Sequence, residues 1–269
     1  PNPKPQTPNP NPLIECLFFK SMFINYKRKE LTVDEHIYMA KVCEQSDRYE
    51  DMVVHMKCVC EKKKELSTEE RNLLSVAFKN LVGALRTAWR VLCSLETKEE
   101  NKKSPYDKLL KSYKAKIEEE LTKICDEIIK IIKDILKLEN QTAEAKIFYL
   151  KMIGDYYRYM SEYKTGDEHA KVGNLAHEEY EKAFQSATSE LKTTHPIRLG
   201  LALNYSVFYY EVLNDPSKAC QMAKQAFDDA IADIEQIEED QYKDSTTIMQ
   251  LIRDNLTLWT SELEEADEK

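Results

Sequence analysis

Chain-breaking residues almost vanish from this sequence after its first dozen positions. Six of the nine prolines fall within residues 1–12, and only five glycines occur in all 269 residues. A sheet-rich domain needs breakers at every hairpin, so such a stretch reads as long helices joined by short turns. Hydrophobic residues at 42% and charged residues at 32% suit a chain that buries a core, not a disordered one. The expected class is all-α, with enough length for one large domain or two small ones.

The net charge of −9 is unevenly spread. Residues 1–30 carry five basic and two acidic side chains, which leaves the remainder at −12; from Asp228 to Lys269 fourteen acids face three bases. A nucleic-acid binder needs a basic face to displace counterions, so no nucleic-acid partner is expected. Any anion site must be a local basic patch. The seven cysteines (16, 43, 58, 60, 93, 125, 220) are odd in number and scattered, as buried thiols in a reducing compartment would be. His55-x-x-Cys58-x-Cys60 lacks a second pair, and Cys60 leaves the face that His55 and Cys58 share, so no metal or other cofactor is expected.

The first thirty residues differ from the rest. Prolines alternating with polar residues read as an extended arm or a disordered tail. An apolar run from Leu13 to Ile24 follows, then Tyr26 and Lys27-Arg28-Lys29. The run falls short of the roughly 20 residues of a membrane span, and its basic cluster follows where a secretory signal has it precede. Left in water it would be a sticky patch, so residues 13–30 are expected to pack on an apolar surface or lie in a groove of the same or a partner chain.

From Leu31 the punctuation marks about nine helices. Thr32 with Glu35, and Ser67 with Glu70, have capping-box spacing. The second opens a periodic stretch to about Glu96. A polar break at 101–105 precedes a long helix over Tyr106–Leu138, and 140–142 opens another that ends near Gly166. Gly173 is expected in or beside a loop, His195-Pro196 starts a helix, 214–216 separates it from the next, and Asp244-Ser245 starts the last, to near Trp259. Successive antiparallel pairs imply a curved stack of the tetratricopeptide kind, although no strict repeat shows.

At about 100° per residue, Lys79, Arg86 and Arg90 fall within roughly 20° of one line, and Lys151 and Arg158 are again seven apart, with Tyr159 adjoining. Such a stripe is either a solvated face paired with neighbouring acids or an anion site. Ser75, Val76, Val82, Gly83 and Thr87 offer no acid at helical spacing, which points to a shared anion. Arginine forks suit a phosphate dianion, to which a tyrosine hydroxyl adds a donor. Two later stripes, Leu203, Asn204, Val207, Glu211 and Ile248, Leu251, Asn255, Trp259, read either as core or as a groove whose amides clamp an extended peptide. Each has an asparagine at mid-length, which is unfavourable to bury unpartnered and favours the groove.

Four segments carry a resemblance: Glu69–Asn80 (EERNLLSVAFKN), Lys151–Tyr159 (KMIGDYYRY), His195–Glu211 (HPIRLGLALNYSVFYYE) and Asp244–Trp259 (DSTTIMQLIRDNLTLW). They look like the signature stretches of 14-3-3 proteins, and the resemblance runs in order over about residues 33–260. It implies nine antiparallel helices in a cup-shaped dimer, each protomer holding an extended phosphoserine or phosphothreonine segment. By position, Lys79, Arg86, Arg158 and Tyr159 would hold the phosphate, with Arg90 nearby. Asn204 and Asn255 would grip the ligand backbone, assisted by Glu211 and Trp259. Leu203, Val207, Ile248 and Leu251 would form the apolar wall, and Lys151 would flank it.

The resemblance also implies a dimer seam in which Arg48 and Asp51 meet Glu120 and Lys116 of the partner, with Tyr113 and Leu92 packing there. A third usual ion pair is expected to be lost, because Glu35 faces Pro105 or Ser104. Thr247 stands at a usually apolar wall position, Ile153 replaces a lysine near the groove, and Ala88 replaces a serine whose phosphorylation disrupts dimers. The expected organisation is an extension over 1–30, a helical domain over 31–261 and an acidic tail over 262–269. The expected function is a phosphopeptide-binding adaptor without enzymatic activity, cytoplasmic or also nuclear, forming a homodimer or pairing with a sister chain. A helical scaffold for unmodified peptides or partner helices is the alternative. An enzyme is disfavoured, since no Gly-rich phosphate loop or nucleophile–base pair is evident.

Overall fold

The computed structural model describes residues 31–63, 65–102, 105–139 and 141–267. The expectations for residues 1–30, including Cys16, and for Asn140, Ser104 and the last two tail residues lie outside the described residues. Within them the chain forms nine α-helices and no strand: α1 Val33–Gln45, α2 Tyr49–Lys62, α3 Thr68–Lys102, α4 Asp107–Leu136, α5 Ala143–Ser161, α6 Gly166–Glu190, α7 Pro196–Glu211, α8 Pro216–Ala232 and α9 Tyr242–Asp267, with a 3-10 turn Ile234–Gln236 before the last. The all-α class holds.

Local chemistry sets the boundaries. Thr32 and Glu35 exchange reciprocal bonds at the start of α1 (3.2 and 2.8 Å), and Ser67 and Glu70 do so before α3 (3.3 and 2.7 Å). Asp215 accepts from the Lys218 amide and Pro216 opens α8, while His195 caps α7 ahead of Pro196. Each such cap stabilises its helix by about 1 kcal/mol. Tight reversals use left-handed backbone at Asp47, Asn214 and Gly166 (φ +54°, +51° and +56°). Gly166 thus opens α6, while Gly173 lies inside that helix and not beside a loop. Two helices also exceed the expected bounds. α3 takes in Asn101 and Lys102, and α9 starts at Tyr242 and runs through the acidic tail to Asp267. The apolar period stops earlier, but glutamate and lysine propagate a helix well where no breaker intervenes. α4 is shorter, losing Tyr106 and its last two residues.

Each helix packs on the next, and α1·α3, α3·α5, α5·α7 and α7·α9 also touch, which makes a continuous stack. A large apolar cluster runs from Ala40 in α1 to Phe208 in α7. A separate, smaller cluster of Leu199, Ala219, Ala223, Ala230, Met249, Ile252 and Trp259 joins α7, α8 and α9. None of the described helices is long and apolar enough to cross a membrane.

α5 is the organising element. Every residue from Met152 to Ser161 is buried, so this helix is enclosed on all sides. Asp155 and Arg158 are therefore buried charges, which persist only with close partners. Those partners define the site.

Candidate functional site

Asp155 is a hub. Its Oδ2 accepts from Lys151 Nζ at 2.8 Å, and its Oδ1 accepts from Asn204 Nδ2 at 2.8 Å and from the Tyr180 hydroxyl. Burial alone would raise its pKa, but the charges of Lys151 and Arg158 and these hydrogen bonds outweigh it and hold the carboxyl below the ordinary range. The same Tyr180 hydroxyl accepts from Arg158 Nε at 3.2 Å, and burial pushes its own pKa well up. Arg158 also lies 3.7 Å from Asp155 Oδ1 and 3.6 Å from Glu211 Oε2. Lys151, Arg158, Asn204 and Glu211 thus meet around one carboxylate and one phenol.

Tyr159 lies between two guanidiniums, with Arg86 4.0 Å and Arg158 4.8 Å from its ring centroid. Arg86, from α3, also forms a fork with the Glu162 carboxylate at the end of α5, and Arg90 reaches the same carboxylate at 3.2 Å. The stripe on α3 therefore has an acid after all. It comes from a different helix, so part of the like-charge repulsion on α3 is relieved within the chain and does not by itself require an external anion. Lys79 is exposed and, among the described residues, makes no ion pair.

The apolar stripes are partly open. Leu203, Val207 and Ile248 are half-buried against the smaller core. A Cβ at Gly200 would sit 3.7 Å from Lys151 Cε and 3.9 Å from Ile248 Cδ1, so α5, α7 and α9 come together there. Leu251 is 48% exposed and Asn255 half-buried. Trp259 is only 4% exposed and stacks on Tyr210 (centroids 4.8 Å, 13°), whose hydroxyl bonds Glu262. The structure thus makes Trp259 a packing residue. The exposed side chain continuing the Ile248–Leu251–Asn255 stripe is Leu258, one residue earlier and 56% exposed. Its three-residue step from Asn255 was the available signal. Nothing in their own stripes marked Asp155, Glu162 or Tyr180. Thr247 is exposed and its hydroxyl bonds the Lys243 carbonyl at 2.7 Å, while Ile153 is buried at 1% and lines no groove.

The seam residues divide likewise. Arg48 pairs with Asp51 within the chain at 2.6 Å, and Lys116 lies 3.8 Å from Glu120. Tyr113 is 52% exposed, but Leu92 is buried within the protomer. His55 bonds His36 (Nδ1 to Nδ1, 3.0 Å), and no group of three metal-ligating side chains gathers among the described residues. Cavities of about 210 Å³ between α6, α7 and α8 and about 510 Å³ between α2 and α4 include none of the site's cations.

This arrangement offers forked donors and a phenol beside an open apolar face. It contains no nucleophile with an adjacent base. Comparison with known sequences agrees in family: the 14-3-3 protein family profile matches residues 39–260. Protein BMH2 of Saccharomyces cerevisiae is 55% identical over 240 residues, 88% of each chain. 14-3-3 protein 7 of Solanum lycopersicum is 52% identical over 236 residues, covering 87% of this chain and 94% of its own. The 14-3-3 protein homolog of Candida albicans is 55% identical over 228 residues, 84% and 86% respectively. The chain belongs to the 14-3-3 family.

Proposed function

We propose that this protein is a non-enzymatic adaptor that clamps phosphoserine or phosphothreonine segments of client proteins. The observation that carries the proposal is the Arg86–Tyr159–Arg158 sandwich, with Lys79 exposed on the same α3 stripe as Arg86. A phosphate brings nearly two negative charges and three acceptor oxygens, which forked guanidiniums and a phenol match. Asn204, Asn255, Leu203, Val207, Ile248 and Leu251 hold the flanking peptide. Lys151, Glu211 and Trp259 act through the Asp155 network and the Tyr210 stack. The protein works as a dimer, because Tyr38, Val42, Val91, Leu95, Leu109 and Tyr113 on α1, α3 and α4 leave apolar surface in water. The six described cysteines are free thiols, which suits the cytoplasm.

Calorimetry with a phosphoserine peptide and its unmodified twin tests the proposal. Arg86→Glu or Lys79→Glu abolishes phosphopeptide binding and leaves helicity intact. Equal affinity of the parent protein for the two peptides sinks it. One observation favours a second reading, a scaffold for unmodified segments: Glu162 already occupies the Arg86 fork and reaches Arg90, offsetting part of their charge. The same pair of titrations decides between them.

A further inference from the structure

The charges around Tyr159 form an uneven set. Four cations (Arg86, Arg90, Lys151, Arg158) meet three carboxylates (Asp155, Glu162, Glu211), and Lys79 stands exposed on the same α3 stripe without an ion pair among the described residues, so the set carries two positive charges in excess. The carboxylates are not equivalent. Asp155 is held by Lys151, Tyr180 and Asn204 and is part of the scaffold. Glu211 is half exposed and reaches Arg158 only at 3.6 Å. The Glu162 side chain is 15% exposed, and among the described residues its carboxylate bonds only the Arg86 and Arg90 guanidiniums. It also caps the C-terminal end of α5, where the helix dipole disfavours an anion, so its place there depends on those two arginines.

We propose that Glu162 is an affinity-limiting counter-charge: it positions Arg86 and Arg90 in the empty site and opposes every negative charge a ligand brings. The proposal rests on the phosphate assignment above. A ligand anion that reaches the Arg86 fork comes close to the carboxylate already held there. Their repulsion is proportional to the ligand's charge, and low exposure limits screening by water and salt. The consequence is an anion site that binds a dianion reversibly, because one of its own acids subtracts from the attraction.

The test is a charge series. Three peptides, identical except for serine, aspartate or phosphoserine at one position, are titrated into the parent protein and into Glu162→Gln, which keeps the side chain's size and one acceptor oxygen. With a gain of about tenfold per ligand charge, the serine peptide is unchanged, the aspartate peptide binds about tenfold tighter and the phosphopeptide about a hundredfold tighter, the square of the single-charge gain. Glu162→Ala shows the same grading and replaces the first variant if that one misfolds; Glu162→Asp, which keeps the charge, shows no gain graded by ligand charge. Damage to the fold cannot produce a gain graded by ligand charge. Weaker phosphopeptide binding in both neutral variants would show that Glu162 only positions the forks and would overturn the proposal, as would an ungraded gain or no change. If the parent protein binds all three peptides alike, the phosphate assignment itself falls, and this proposal with it.

Discussion

Gly154 is the position where a single methyl group probes the site most directly. It lies on the enclosed helix α5, and a Cβ there would meet Tyr180 Cδ1 and Cε1 at 2.8 Å and Cγ at 3.0 Å. Tyr180 has little room to yield: it is fully buried, stacked on Tyr205 at 5.2 Å and against Phe208 at 5.6 Å. Overpacking of this kind costs about 1–3 kcal/mol, and alanine's better helix propensity returns about 1 kcal/mol. Gly154→Ala should therefore destabilise the fold by about 1 kcal/mol, read from the urea midpoint at constant slope. The larger effect falls on function, because the ring that must move carries the hydroxyl bonded to Asp155 and Arg158. The shift misplaces the Arg158 guanidinium, and weakening one charge-assisted bond from it to a ligand phosphate is worth about 1.5–3 kcal/mol, so phosphopeptide affinity should drop about tenfold or more. Gly83→Ala is the internal control: nothing lies within 4 Å of its Cβ position, so the same change there should stabilise by about 0.5–1 kcal/mol. A Gly154→Ala protein as stable as the parent, with parental affinity, would refute the claim that Tyr180 is wedged in place.

Two further outcomes are expected. His36 and His55 both titrate below the usual histidine range, chiefly because burial penalises the charged ring, with Lys62 and the facing histidine as the next contributions. Their neutral pair is bonded at 3.0 Å. With folded pKa values below the unfolded 6.5, stability is full above pH 6.5 and declines as the pH falls below it. Urea midpoints from pH 7.5 to 5 should show this fall, and His36→Leu should flatten it; an unchanged slope would show that the pair is not the source. Tyr113→Lys should raise the dimer dissociation constant at least tenfold by sedimentation, and an unaltered constant would remove α4 from the seam.

How much was legible in the sequence follows from where each signal resides. The stripe Lys79, Arg86, Arg90 was readable because one exposed helix face keeps its 3.6-residue period. Its balancing acid was not, because Glu162 lies 76 residues from Arg86 and meets it only through packing of α3 on α5. α5 itself gave the weakest signal: enclosed on all sides, it has no polar face to alternate with an apolar one, and Asp155 there looked like any other charged residue. Asn204 does have the partner that its mid-stripe position calls for, and that partner is the buried Asp155. Trp259 falls on the helical period of its stripe, but nothing in the sequence shows that its ring stacks on Tyr210, a residue of α7, and so turns inward.

The two apolar clusters divide the site mechanically. The forks of Arg86 and Arg158 stand on α3 and α5, which are locked into the large cluster, while Ile248, Leu251, Asn255 and Leu258 stand on α9, which joins only the small one, with alanines as three of its seven core residues. Fewer and smaller buried side chains mean a lower free energy of local opening, so α8 and α9 form the unit that should release its amide protons first. One jaw is therefore an anchor and the other a spring. Under the proposed function, a ligand would be held by its charged group at a fixed point, while the wall beside it adapts to residues of differing bulk.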